Sequence, residues 1–409
     1  MPRINVVDAM MGAGKSSAAI NLINNSDPDT HFIVITPYLK EVDRYMAGCP
    51  HRKFHTPKNT SSTKLKSIKK LIGAGCDIVS THALFRRFDQ EVISVLKAMN
   101  YVLIMDEAAQ VIEKYEITKP DVRLLIEGDY VIPDPETDLL SWREGAVDYT
   151  GKFNEVKNLC GLDSLALYGD DIMLWLFPVE VFSAFTQVYV LTYMFDSQPQ
   201  KYYFDYYGID YNYLTVAGDS RETYTFSDLQ EVQKAKYNYR KLIHICDNSK
   251  LNRIGDDRFA LTRTWYDRNM DSGLLTQLKN NVYNYFRHIM NSKSSDILWT
   301  TFMDYRSLLK GNGYGKSSCF LALNARATNE KADRTEVAYT INCYMNPLIK
   351  QFFITHGVEV DEEGYALSEM IQFIWRSAIR NGQEIWVYVP SSRMRELLIY
   401  WIDEISIDE

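Results

Sequence analysis

Between residues 4 and 23 the chain passes through a short apolar run, a glycine-rich turn, a Lys-Ser pair and a helix-like segment. Ile4 to Val7 reads as a strand, and Ser17-Ala18-Ala19-Ile20-Asn21-Leu22-Ile23 as the start of a helix. Ala9-Met10-Met11-Gly12-Ala13-Gly14-Lys15-Ser16 joins them. A strand that enters such a turn and leaves it as a helix is a phosphate-binding loop. Its glycines let backbone N–H groups curl round an anion, and the helix N-terminus adds unpaired donors and a favourable dipole. Gly12, Ala13, Gly14, Lys15, Ser16 and Ser17 are therefore the expected nucleotide-binding residues. Lys15 would reach the β- and γ-phosphates of a nucleoside triphosphate, and Ser16 would offer its hydroxyl to Mg²⁺. Ala9 stands where the motif usually begins with glycine.

Such a loop belongs to an α/β chain, and the strand pattern agrees. His31 to Thr36 is a buried strand stopped by Pro37, with a helix expected over Leu39 to Met46. Asp77 to Ser80 and Tyr101 to Met105 are further strands, and Phe185 to Phe195 returns as another. Alternation of this kind predicts a parallel sheet with ligands beyond the carboxyl ends of its strands. Residues 113–182 break the pattern and read as an insertion. Residues 217–240 are polar, without an apolar period, and read as a linker. The second half restarts with strands at Leu242 to Cys246, Asp296 to Phe302, Cys319 to Leu323 and Glu384 to Val389. Helices are expected at Leu274 to Met290, Glu336 to Phe353, Ser368 to Arg380 and Met394 to Ile405. The expected division is a first domain over 1–216 and a second over 241–409.

The 409 residues suffice for two cores of ordinary size. No apolar run reaches the length of a membrane span, and the first strand leaves no room for a signal peptide before it. The six cysteines (49, 76, 160, 246, 319 and 343) form no C-x-x-C pair. Neither zinc nor a disulfide framework is expected, and reduced thiols fit a cytoplasmic protein.

The apolar strand Tyr101 to Met105 delivers Asp106-Glu107-Ala108-Ala109. Beside a phosphate loop this is the metal side of the site: Asp106 would hold Mg²⁺ through water, and Glu107 would orient and deprotonate the attacking water. Such a pair can otherwise serve as a helix cap. In the second half, Gly311-Asn312-Gly313-Tyr314-Gly315-Lys316-Ser317 imitates the loop, but Lys310 occupies its first position and a strand follows instead of a helix. Gln372, Arg376 and Arg380 are spaced by four on an expected helix and would share one face. Such a row suits a triphosphate held on the other domain, where an arginine can stabilise the transferring phosphoryl group; the alternative is a solvated helix face.

The net charge of −8 is not that of a basic nucleic-acid-binding domain, yet charge is segregated. Residues 51–70 carry Arg52, Lys53, Lys58, Lys64, Lys66, Lys69 and Lys70 with no acidic residue. This is either a solvated face or a contact for a phosphate backbone. Tyr202, Tyr203, Tyr206, Tyr207, Tyr211 and Tyr213 could stack on unpaired bases, although their spacing favours a helix–sheet seam.

Taken in order, Met11 to Ser16, Ile35-Thr36-Pro37, Ser80-Thr81-His82, Asp106 to Ala109, Leu191-Thr192, Asn324 to Asn329 and Gln372…Arg376…Arg380 resemble the motif series of superfamily-two helicases. The likeness is strongest to compact, DEAD-like helicases of bacteriophages and runs from residue 5 to about 392. It implies a P-loop NTPase of two tandem RecA-like domains, with ATP and Mg²⁺ between them and a nucleic-acid strand across both. It places Lys15, Asp106, Glu107, Gln372, Arg376 and Arg380 in catalysis. Thr36, Pro37, Thr81, His82, Asn324, Arg326 and Thr328 fall to the strand, beside Lys64, Lys66, Lys69 and Lys70. Arg380 lies eight residues after Gln372 where the family has seven, so either arginine can be the finger. Asp-Glu-Ala-Ala and the missing adenine-reading motif shift the expected partner from RNA to single-stranded or branched DNA, with phage replication proteins as further partners and no membrane. No strand-splitting domain is evident, which puts translocation ahead of unwinding. A terminase-like packaging ATPase and an ATP-switched loader remain the alternatives.

Overall fold

The computed structural model describes residues 2–37, 39–58, 63–146, 148–228, 237–323 and 330–405. Contacts divide the chain into two units: Met1–Glu231 with Asn346–Val360, and Val232–Met345 with Asp361–Glu409.

The first unit is built on strands β1 (Arg3–Asp8), β2 (His31–Thr36), β3 (Ile78–Thr81) and β4 (Tyr101–Asp106). Five short strands follow: β5 (Ile112–Lys114), β6 (Val131–Pro133), β7 (Leu140–Trp142), β8 (Leu165–Tyr168) and β9 (Ile172–Leu176). The chain then returns to the main sheet with β10 (Gln187–Thr192), β11 (Tyr211–Ala217) and β12 (Thr225–Asp228). The order is β12-β11-β1-β10-β4-β2-β3, parallel except for β12. Central strands buried on both faces need continuous apolar runs, and Phe32 to Ile35 and Leu103 to Met105 supply them at 0–1% exposure. Helices α1 (Lys15–Asn25), α2 (Leu39–Gly48) and α3 (Lys64–Gly73) flank the sheet. Ala18, Ala19 and Ile23 of α1 pack with Val7, Val34 and Tyr45 in one core cluster.

The strands inserted after β4 form a three-stranded antiparallel sheet, β5-β9-β8, and a β6-β7 hairpin. The tyrosine cluster belongs to this neighbourhood. Tyr203, Tyr206 and Tyr207 donate to the carbonyls of Phe177, Thr137 and Asp163 at 2.7, 2.6 and 3.3 Å, and Tyr202 and Tyr203 are wholly buried. Their rings line a structural seam, as the spacing favours.

The second unit carries a parallel sheet of β13 (Ile243–Ile245), β14 (Ile297–Thr300), β15 (Glu336–Tyr339) and β16 (Ile385–Tyr388), in the order β13-β16-β15-β14. Its core gathers Trp299, Tyr266, Tyr285 and Tyr314.

Several expectations change. The segment expected as a linker contributes β12, which pairs antiparallel with β11 because Thr225 to Asp228 align with Leu214 to Ala217. Glu336 to Tyr339, expected to open a helix, is a strand, since Val337 and Ala338 are wholly buried between β14 and β16; the helix begins only at Pro347. That helix, Pro347–Thr355, belongs to the first unit, with the Phe353 and Tyr202 rings 5.8 Å apart. Cys319 to Leu323 makes one isolated bridge, Phe320 to Trp299, instead of a strand.

Candidate nucleotide-binding site

The register of the first sheet sets the site. With β10 between them, β1 and β4 end level: Asp8 pairs with Thr192, and Leu191 pairs with Asp106. The loop that leaves β1 is pinned at its root. Ala9 N–H donates to Thr192 O at 3.1 Å, and the Asp8 carboxylate accepts from the amides of Met194 (2.9 Å) and Phe195 (2.8 Å). Burial raises the Asp8 pKa, opposed by those amides and by the Lys15 charge.

Gly12 and Gly14 take φ of +83° and +96°, a region that side chains other than glycine rarely enter, and Gly14 caps the start of α1. The Tyr224 ring lies over Gly14 so closely that a Cβ there would sit 2.7 Å from it. Asn21 of α1 holds the connection between β11 and β12 by donating to the carbonyls of Arg221 and Tyr224, each at 2.9 Å. Lys15 Nζ donates to the loop carbonyls of Ala9 and Met10.

Ser16, first turn of α1, meets Asp106, last residue of β4: its Oγ donates to Asp106 Oδ1 at 3.2 Å. Tyr45 of α2 donates its phenol to Asp106 Oδ2 at 3.0 Å. Tyr45 is wholly buried, and burial first, then the Asp106 charge, pushes its pKa well above the ordinary phenol value. Glu107 follows at φ +92°, a strained backbone for a long side chain, with its amide on Leu191 O at 3.0 Å. The wholly buried Gln200 accepts from Ala109 N–H at 2.8 Å and so holds the turn after the acidic pair. A hydroxyl and a carboxylate side by side are hard oxygen donors, and this pair fits Mg²⁺, which takes one or two carboxylates and completes its shell with phosphate and water. Among the described residues no three His, Cys, Asp or Glu side chains gather as a metal cluster.

The other expected residues divide. Thr36 and Thr81 sit side by side in register at the same carboxyl edge, followed by Pro37 and His82. The Thr36 side chain is wholly buried, its hydroxyl on Ser80 O at 3.4 Å, so its side chain is not a surface contact. Lys64, Lys66 and Lys70 are exposed on α3. Lys69 is not equivalent to them, because Asp89 (2.8 Å) and Glu91 already neutralise it. Arg52 is likewise turned inward, onto the carbonyls of Ser26, Asp27 and Thr30. Asn324, Arg326 and Thr328 lie outside the described residues.

Gln372, Arg376 and Arg380 do not share a helical face. Their helix, Glu362–Ile374, ends between the first two. Ser377 N–H and Oγ both turn back to Ile374 O (3.0 and 2.6 Å), and Ala378 N–H leaves the ladder for Arg334 O at 2.8 Å. Arg376 therefore lies in a turn, and Arg380 in the 3₁₀ turn Ala378–Asn381. All three are partly exposed in an otherwise buried stretch.

Tyr45, Gln200 and Tyr224 escape a reading of the sequence. None has a fixed spacing from a motif, and each reaches the site from an element folded onto it.

The model of the YonV C-terminal Rossmann-like domain matches residues 237–402, and that of the YonV middle domain matches residues 112–175. The chain is 41% identical over 414 residues to the SPbeta prophage-derived uncharacterized protein YonV of Bacillus subtilis (strain 168), covering 98% of this chain and 99% of that protein. Among solved structures, one named XPD_APO aligns with a TM-score of 0.51 at 12% identity, covering 97% of this chain and 95% of that one. Xpd4 of S. tokodaii aligns with the same TM-score and identity, covering 100% and 95%. At this identity the likeness concerns the fold: two tandem RecA-like domains with parallel sheets.

Proposed function

The chain belongs to the YonV family, and we propose that it is an ATP-hydrolysing motor of the superfamily-two helicase type that moves along nucleic acid. The observation that carries the reading is the 3.2 Å contact of Ser16 Oγ with Asp106 Oδ1, which joins the glycine loop to the acidic strand end. In this reading the loop amides and Lys15 bind the phosphates of ATP. Bound Mg²⁺ supplies charge neutralisation of the phosphate oxygens. Ser16 and Asp106 hold that cation, and Glu107 takes a proton from the attacking water. Arg376 and Arg380 are the proposed arginine contacts to the triphosphate. Gln372 is their proposed neighbour.

DNA is the proposed track, in phage replication or recombination. The prophage origin of the relative and the exposed lysines of α3 support it. No helix among the described residues is long and apolar enough to cross a membrane. The decisive experiment is hydrolysis of ATP by the purified chain with and without single-stranded DNA. Turnover that rises with DNA is expected. Turnover indifferent to DNA sinks the motor reading and leaves an ATP-operated switch, while absence of turnover under both conditions sinks the enzyme.

A further inference from the structure

Tyr45 lies outside every motif, yet its phenol donates to the carboxylate on which the proposed site turns. An aspartate carboxylate rotates readily about its last torsion, where the energy wells are broad. Here both ends are held: Oδ1 takes the Ser16 hydroxyl at 3.2 Å and Oδ2 takes the Tyr45 phenol at 3.0 Å. The second donor is itself packed in the core. Tyr45 is wholly buried and packs in the same core cluster as Ala18 and Ala19 of α1 and Val34 of β2. A buried phenol needs an acceptor, and Tyr45 finds it in the carboxylate of the proposed metal ligand.

We propose that Tyr45 is a positioning residue for the divalent cation: it holds Oδ2 of Asp106 so that Oδ1 faces the metal together with Ser16. The inference rests on the nucleotide reading above.

The test is Tyr45→Phe in the full chain, which removes the hydroxyl and keeps the ring. Binding of a fluorescent, non-hydrolysable ATP analogue is measured with and without Mg²⁺. Metal-free affinity should stay within about twofold. The gain in affinity on adding Mg²⁺ should fall about tenfold, the size of loss seen when outer partners of metal ligands are removed. The Mg²⁺ concentration for half-maximal hydrolysis should rise in parallel. Asp106→Asn supplies the second arm, since adding Tyr45→Phe to it should cost nothing more in Mg²⁺ dependence, a cycle that reads coupling even where stability drops. Unchanged Mg²⁺ dependence in Tyr45→Phe overturns the inference, as does an equal loss with and without metal. Should the unmodified chain bind the analogue with no Mg²⁺ effect at all, the nucleotide reading itself has failed.

Discussion

The chain spells nearly the same five letters twice, Gly12-Ala13-Gly14-Lys15-Ser16 and Gly313-Tyr314-Gly315-Lys316-Ser317, with opposite structural results. In the first unit the letters leave β1 and become α1, so Ser16 arrives beside Asp106 at the carboxyl edge of the sheet. In the second the residue between the two glycines is a tyrosine that serves as core. Tyr314 is wholly buried, its ring 5.5 Å from Phe286, and its hydroxyl donates to Leu309 O at 2.6 Å. Trp299 Nε1 donates to its carbonyl at 2.9 Å, and Gly315 N–H closes on Gly311 O at 2.8 Å. No helix follows, so Lys316 stands exposed without a row of helix N–H groups behind it. An anion site needs the strand before and the helix after as much as it needs glycine.

Paired substitution breaks or upholds that contrast most directly. Lys15→Ala should reduce ATP turnover about a hundredfold or more, close to ~3 kcal/mol of transition-state stabilisation, with circular dichroism unchanged. Lys316→Ala should leave turnover as it was. Equal effects from the two lysines would end the distinction. Glu107→Gln belongs to the same class: nucleotide affinity is kept while turnover falls at least about a hundredfold, the usual weight of a general base.

A smaller effect is expected from the second unit's arginines. Arg376→Ala or Arg380→Ala should cut DNA-stimulated hydrolysis at least about tenfold, ~1.4 kcal/mol, with a lesser loss in ATP binding. Arg376, four residues after Gln372, should show the larger loss. If both single variants and the double variant hydrolyse ATP normally with DNA present, the second unit has no part in the chemistry.

The smallest effect lies on α3. Neutralising Lys64, Lys66 and Lys70 should lower the dependence of log affinity on log salt for single-stranded DNA by up to about 2, since each phosphate contact contributes ~0.7. Lys69→Gln should add little to this, because its charge is already spent on Asp89 and Glu91. A salt slope unchanged by all four substitutions makes the patch an ordinary solvated surface.

Where local chemistry decided the outcome, the chain could be read directly. The β1–loop–α1 unit, the strand that ends at Asp106 and the stop at Pro37 all follow from apolar runs, glycine turns and the proline. These act within a few residues. The reading failed where a distant partner overrode a local preference. Ser368 to Arg380 looks helical, but Ala378 N–H finds Arg334 O and the helix stops at Ile374. Glu336 to Tyr339 looks like the start of a helix until β14 and β16 enclose it.

By itself, then, the sequence determined an α/β chain whose first sheet opens on a glycine turn leading into a helix, because strand, glycine and helix signals all lie within one short window. Only the tertiary structure decided who else stands there. Tyr45 and Tyr224 come from α2 and the β11–β12 connection, and Gln200 from the helix Pro199–Tyr206. Their contacts span 61 to about 200 residues of chain and depend on how helices pack on a sheet. No periodicity records that. Hydrogen bonds are decided by where atoms meet, and a spacing rule can foresee a meeting only within one element or between two neighbours.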